Sequence, residues 1–341
     1  MVGYVYVSFC KATSVRAMLR AHTRSRFLIS PFFLWRALSL QYTLLFSRTR
    51  RLPFSFSLSF SLSSNPACRT RRCLLKVLLM GQSNMSGRGQ GYDRAIDGPN
   101  NLRIKQWSRD NKIVTAEEHL QHHDSSGGSC MDKNVGMGTA FGRAYVETLP
   151  EQRDVLLVPT AHGGTALVNG PWSPDGYLFE DAVTRMEAAL ASGEADGNCV
   201  AAVLWHQGES DAQRHVDQDA YLWAWTNMIE TLRRRIPSAA KAPVVLGEFA
   251  ERWVENNPEL VEPVLEAIRD IPDSVAFTAL ADADDLSVNP DQEIHFDAAG
   301  QREFGERYFD KLRDAIRNDE AREAGLEGGK DAPAQRIAAV A

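Results

Sequence analysis

The sequence predicts an α/β fold: a three-layer α/β/α domain with a central parallel sheet of about five strands. Three observations predict it. Short apolar runs alternate with longer stretches whose apolar residues recur every three or four positions, the order of strands and amphipathic helices. The short runs are nearly continuous rather than alternating, as in strands covered on both faces. Most of them end in glycine-rich or polar turns, where sheets of this kind bind ligands.

The first strand is 74–80, broken only by Lys76 and closed by Gly81. Residues 81–135 follow as a long Gly- and Asn-rich loop of weak periodicity. Loops of that length in compact domains commonly carry function, and this one begins at a serine just past a strand end, so it is expected to face substrate. A helix over 136–148 leads to the strand 154–160, and a helix over 177–192 to the strand 199–205. The pattern repeats with helix 217–235 and strand 243–249, then helix 258–270 and strand 275–280, and closes with helix 298–316. Pro237, Pro258 and the region of Gly300 punctuate helix ends. The domain is therefore expected to span 73–317, with a disordered tail over 318–341 that is rich in Ala, Gly and Glu.

Residues 1–72 read differently. They hold 12 Lys and Arg and no acidic residue, with a Ser/Phe/Leu low-complexity run over 54–64. Such a leader suggests an organelle transit peptide, or a start codon that lies further downstream. Its best apolar window, Phe32 to Phe46, contains Arg36 and is short for a membrane span, so no stable span is expected. The compartment is left open between organelle, secreted and cytoplasmic. Taking the leader's +12 from the chain's net −6 leaves −18 for residues 73–341. An acidic domain is a poor nucleic-acid ligand. Five scattered cysteines with no C-x-x-C pair indicate neither a disulfide framework nor a zinc site, and no metal or cofactor is expected.

Four turns could carry chemistry, and a parallel sheet would gather them at one edge. They are Gly81-Gln-Ser-Asn-Met-Ser-Gly87, Ala161-His-Gly-Gly-Thr-Ala166, His206-Gln-Gly-Glu-Ser-Asp211 and Asp291-Gln-Glu-Ile-His-Phe-Asp297. Taken singly each is a turn. As a set they offer a candidate nucleophile in Ser83, backbone N–H groups at paired glycines, an amide, and a candidate base in His295.

Residues 74 to about 316 resemble the SGNH-hydrolase superfamily, with its flavodoxin-like sheet. More narrowly they resemble the sialate O-acetylesterase-like group that includes carbohydrate esterase family 6 acetylxylan esterases. The motifs that carry the likeness are Gly81-Gln-Ser-Asn-Met-Ser-Gly87, Gly163-Gly-Thr165 with Trp172 following, Trp205-His-Gln-Gly-Glu-Ser-Asp211 and Ile294-His-Phe-Asp-Ala-Ala-Gly-Gln301. The resemblance implies removal of O-acetyl groups from a carbohydrate, acetylated xylan or a similar glycan first and O-acetyl sialic acid second. It implies Ser83 as nucleophile and His295 as base, with an oxyanion hole of the Ser83 N–H, the Gly164 N–H in preference to Gly163, and the Gln207 amide. Asn84, His162, Trp172 and His206 are expected to line the substrate pocket, with His206 equally placed to pack beneath it.

The sequence departs from that pattern at Gln292, where relatives carry an aspartate three residues before the histidine. Asp291, Glu209, or a carbonyl such as that of Gln292 then remain as partners for the His295 ring. His119, His122, His123 and Asp124 read as a solvated loop. Trp107, Trp172, Tyr177 and Trp253 are candidates to stack on sugar rings, and Arg88 to contact substrate. Ser86 and Ser210 are the other serines near the motifs.

Overall fold

The computed structural model describes residues 73–125, 133–192 and 199–323; the leader expected over 1–72 and the chain beyond 323 lie outside the described residues. Seven strands form one sheet: β1 (Cys73–Gly81), β2 (Ile104–Trp107), β3 (Ile113–Thr115), β4 (Arg153–Pro159), β5 (Val200–His206), β6 (Val244–Gly247) and β7 (Thr278–Ala281). Their order is β3-β2-β4-β1-β5-β6-β7, and every pairing is parallel except β2 with β3. A separate antiparallel hairpin joins β8 (Val288–Asn289) to β9 (Gln292–Phe296).

The sheet has two strands more than expected, and both lie in the segment read as loop. Ile-Lys-Gln-Trp at β2 is too short and too polar to register as an apolar run, although Ile104, Gln106 and Trp107 are buried. β3 is an edge strand, where the apolar signal is weakest. The five strands that were expected stand in the order 2-1-3-4-5, the flavodoxin-like arrangement, whose strand order reverses between the first and third. That switch point lies between β1 and β5, with Gly81 level with His206.

The helices are α1 (Ser83–Ser86), α2 (Arg94–Asp97), α3 (Gly138–Glu147), α4 (Tyr177–Ala191), α5 (Glu209–Ala212), α6 (Gln218–Arg235), α7 (Glu251–Asn256), α8 (Pro258–Ser274) and α9 (Ala298–Glu323). Right-handed crossovers carry α4, α6 and α8 along one face of the sheet, where α6 packs on α8. On the other face α3 packs against α9, which also covers β6 and β7. α8 overruns its expected end to Ser274, which delays the last sheet strand to Thr278. α9 continues to Glu323, so residues 318–323, expected as tail, are helical.

The core is continuous through the sheet. Val77, Leu78, Leu79 and Met80 of β1 are fully buried, as are Leu156, Leu157 and Val158 of β4. β1 ends at Gly81 with φ +136°, and a Cβ there would run into the His206 carbonyl. Glycine lets β1 turn sharply into α1 against the end of β5.

Candidate active site

α1 follows β1 after one residue, which sets Ser83 at the carboxyl edge of the sheet. β9 brings His295 to the same place from the other end of the chain. The His295 Nε2 lies 3.0 Å from Ser83 Oγ, and its Nδ1 lies 2.9 Å from Gln292 Oε1. An amide oxygen only accepts, so Nδ1 carries the proton and the neutral ring offers the Nε2 lone pair to the Ser83 O–H. Burial holds the His295 pKa below its ordinary value; Arg88 and His206 push it the same way, and Glu209 opposes them. The ring is therefore neutral near pH 7 and can take a proton.

Of the three partners weighed for His295, the structure supplies the Gln292 oxygen. Asp291 sits in the exposed turn before β9 and accepts from Gln90 Nε2 at 3.1 Å, turned away from the ring. Glu209 lies beneath, where its Oε1 accepts from Asn84 Nδ2 at 2.8 Å and stands 3.4 Å from His206 Nε2. An amide fixes the tautomer but adds no negative charge beside the imidazolium formed on proton transfer. Gln292→Asp is therefore expected to keep activity and to raise kcat by up to about tenfold, with the acid limb of the rate profile moved to higher pH. A pH–rate series checks this, and loss of activity in the folded variant would show that the amide itself is required.

Asn84 and His206 are not pocket residues. Asn84 is completely buried. Its second Nδ2 proton goes to Ile294 O at 2.9 Å, and its Oδ1 accepts from Phe296 N at 3.3 Å. The neighbour of Ser83 thus holds both neighbours of His295. Buried side chains with all their polar atoms satisfied in this way rigidify a site. Burial alone would raise the Glu209 carboxyl, but His206, the Glu209 backbone N–H and Asn84 outweigh it and hold the pKa below the ordinary carboxylate value. The anchor of this clamp is an anion. His206 is fully buried, with Nδ1 on Tyr308 OH at 3.1 Å and its ring packed edge-on to Phe296 and Phe304.

A second clamp sets the glycine loop after β4. The Ser83 and Gly164 N–H groups donate to no protein group among the described residues. Gly164 has φ +72°, and the space a Cβ would enter is empty to 4 Å. Both N–H groups are thus free for an oxyanion. Gly163 is not, because its N–H donates to Asp124 Oδ2 at 2.9 Å. The same carboxylate accepts from Ser86 Oγ at 2.7 Å and from Arg88 Nη2 at 2.8 Å. Burial would raise the Asp124 pKa, but Arg88, Gly163 and Ser86 hold it well below the carboxylate range. Asp124 therefore ties α1 to the Gly163-Gly164 turn across the pH range of ordinary enzymes, and Arg88 is committed to it rather than to substrate.

Asp124 is the residue that sequence reasoning missed. The stretch around it is docked, not solvated: His122 is buried and its Nδ1 accepts from Ala161 N at 3.0 Å, while His123 Nδ1 meets His162 Nδ1 at 2.9 Å. A His-His-Asp run in a loop already suspected of function was the available signal. Removing an oxyanion donor costs about 10²–10³ in kcat. Loosening one costs less, so Asp124→Asn, which cannot accept from both Ser86 and Arg88, is expected to lower kcat about tenfold in steady-state assays.

Gln207 and Trp172 also support the loop from below. Gln207 Nε2 donates to Thr165 O at 3.1 Å and to Asp211 Oδ2 at 2.5 Å, which uses both of its protons and removes it from the oxyanion hole. Trp172 is fully buried and donates from Nε1 to Thr165 Oγ1 at 2.9 Å, so it cannot stack on a sugar. Trp107 and Trp253 are buried too, whereas Tyr177 is exposed. His162 is half-buried beside the open face of the loop. Ser86 is enclosed and bonded to Asp124, and among the described residues no histidine bonds Ser210. Among the described residues no group of three His, Cys, Asp or Glu side chains is arranged to hold a metal ion.

Comparison with known proteins identifies the family and the fold. Residues 76–314 match the family described as carbohydrate esterase, sialic acid-specific acetylesterase. The chain is 34% identical over 170 residues to a probable carbohydrate esterase of Arabidopsis thaliana, At4g34215, an alignment covering 46% of this chain and 62% of that one. It is 26% identical over 153 residues to a probable 9-O-acetyl-N-acetylneuraminic acid deacetylase of Escherichia coli K12, over 38% of this chain and 46% of the relative. The matched part is thus under two thirds of the length of either relative. The fold is similar to that of NanS (TM-score 0.63, 20% identity, 72% of this chain and 98% of that one). It is also similar to the crystallised Arabidopsis thaliana protein AT4G34215 (TM-score 0.55, 25% identity, 71% and 98%).

Proposed function

Because the chain belongs to the sialic acid-specific acetylesterase family of carbohydrate esterases, a family of carboxylic ester hydrolases, we propose that it removes O-acetyl groups from carbohydrates through an acetyl-Ser83 intermediate. The observation that carries this reading is the 3.0 Å contact of His295 Nε2 with Ser83 Oγ beside two unoccupied N–H groups. Ser83 Oγ attacks the acetyl carbonyl carbon as His295 Nε2 takes its proton. The carbonyl oxygen, now negative, is held by the N–H groups of Ser83 and Gly164. Collapse breaks the bond to the sugar oxygen, which leaves with the proton from His295. Water then attacks the acetyl-serine, again giving its proton to His295, and acetate departs as Ser83 recovers its hydrogen.

An acetylated polysaccharide such as xylan is the leading substrate class, and O-acetyl sialic acid the second. The order is supported by the higher identity to the plant carbohydrate esterase than to the bacterial deacetylase. It is supported also by Arg88, whose charge is already neutralised by Asp124 and not offered to a sugar carboxylate. Gln292 supports a second reading, a homologue that binds acetylated glycans without turnover. A series of p-nitrophenyl esters separates these: the proposal expects turnover that is fastest with acetyl. A preference for acyl chains longer than about four carbons would replace the acetylesterase reading with a lipase-like one, and no turnover of any ester would favour the binding protein.

A further inference from the structure

One exposed ring beside the site has no part in the chemistry above. Tyr177 is the first residue of α4 and is 57% exposed. Its ring centroid lies 5.8 Å from that of His123, tilted by 54°. The His123 ring lies 5.0 Å from the ring of His162, and their Nδ1 atoms share one proton across 2.9 Å. His162 immediately precedes Gly163 and Gly164. Three rings therefore run in a row from the surface to the free N–H of Gly164, next to the empty space above it.

His123 is held toward its neutral form. Burial lowers the His123 pKa, with Arg109 and His162 acting alongside and Asp181 and Asp124 opposing. The outer nitrogen of His162, Nε2, bonds no protein group among the described residues and is open to solvent. An exposed aromatic face next to an unused polar ring atom matches a pyranose, which has an apolar C–H face and a rim of hydroxyls. Arg88 is paired with Asp124 and Arg109 with Asp181, so neither guanidinium is offered to a sugar carboxylate.

We propose that Tyr177, His123 and His162 form the subsite for the acetylated sugar itself, a neutral pyranose of a glycan chain. Tyr177 covers the C–H face of the ring and His162 Nε2 bonds a hydroxyl near the ester, which directs the acetyl group to Ser83. This rests on the acetylesterase reading, and the test keeps the two apart. The first readout is the ratio of kcat/KM on acetylated xylotetraose to kcat/KM on p-nitrophenyl acetate. Tyr177→Ala is expected to lower that ratio at least tenfold, mainly through KM on the sugar ester, and Tyr177→Phe to keep it within about twofold because the ring remains. The second readout needs no turnover: calorimetric binding of xylotetraose to the Ser83→Ala protein, which Tyr177→Ala should weaken at least tenfold. An unchanged ratio together with unchanged or undetectable xylotetraose binding would overturn the subsite. An inactive wild type that still binds xylotetraose through Tyr177 would overturn the esterase reading and leave the subsite standing.

Discussion

Ser83→Ala is expected to lower kcat for p-nitrophenyl acetate by about 10⁴-fold or more while the protein stays folded. The size follows from what the oxygen does. Among the described residues it is the hydroxyl bonded to His295 Nε2, and in the proposed mechanism it is the atom that attacks the acetyl carbon. Without it, only the N–H groups of Ser83 and Gly164 remain to favour attack by water. The folding cost is small, because the side chain is short and its one hydrogen bond is worth about 1 kcal/mol net. Circular dichroism and the unfolding midpoint should therefore stay near the wild-type values, which separates loss of chemistry from loss of structure.

His295→Ala is expected to lower kcat by about 10³-fold or more, and the double variant with Ser83→Ala to be no worse than Ser83→Ala alone, since the two act as a unit. The wild-type pH profile tests the same residue without mutation. The folded His295 pKa lies below the ordinary 6.5. The ring is therefore already neutral at pH 6.5, and activity should hold there and fall only as the pH drops further and Nε2 is protonated. A carboxylate partner would have moved that limb upward. An acid limb above pH 7 would mean that a negative group, not the Gln292 amide, faces Nδ1 in solution.

The frame of the fold was legible because the central strands are buried on both faces. β1, β4, β5 and β6 are short runs of apolar residues, and each appears within two residues of where the pattern places it. β2 and β3 were hidden because they are short and carry Lys105, Gln106 and Thr115 among their few residues. In the site, strand-end position and motif singled out Ser83 and His295, and the structure brings the two into hydrogen-bond contact. What motif spacing could not give was side-chain direction. Asn84, His206, Gln207 and Trp172 all lie in the right turns, yet each points into the interior and holds a loop instead of touching substrate. Asp124 was read as part of a solvated loop for the complementary reason. Its partners, Ser86, Arg88 and Gly163, are 36–39 residues away, and no local periodicity records such contacts.

The two clamps divide the work of the site. Glu209 and Asn84 fix His295 relative to Ser83, and Asp124 with Gln207 and Trp172 fixes the glycine turn relative to both. Preorganised donors of this kind cost no rearrangement as charge develops, which is why they outweigh other contributions in acyl transfer.

The most direct measurement is labelling of the intact protein with a serine-reactive fluorophosphonate, followed by peptide mapping. The label needs an activated serine but no knowledge of the natural substrate. The account predicts one adduct, on the peptide containing Ser83, absent from Ser83→Ala and strongly slowed in His295→Ala. An adduct on Ser86 or Ser210, or labelling that persists undiminished in Ser83→Ala, would contradict it.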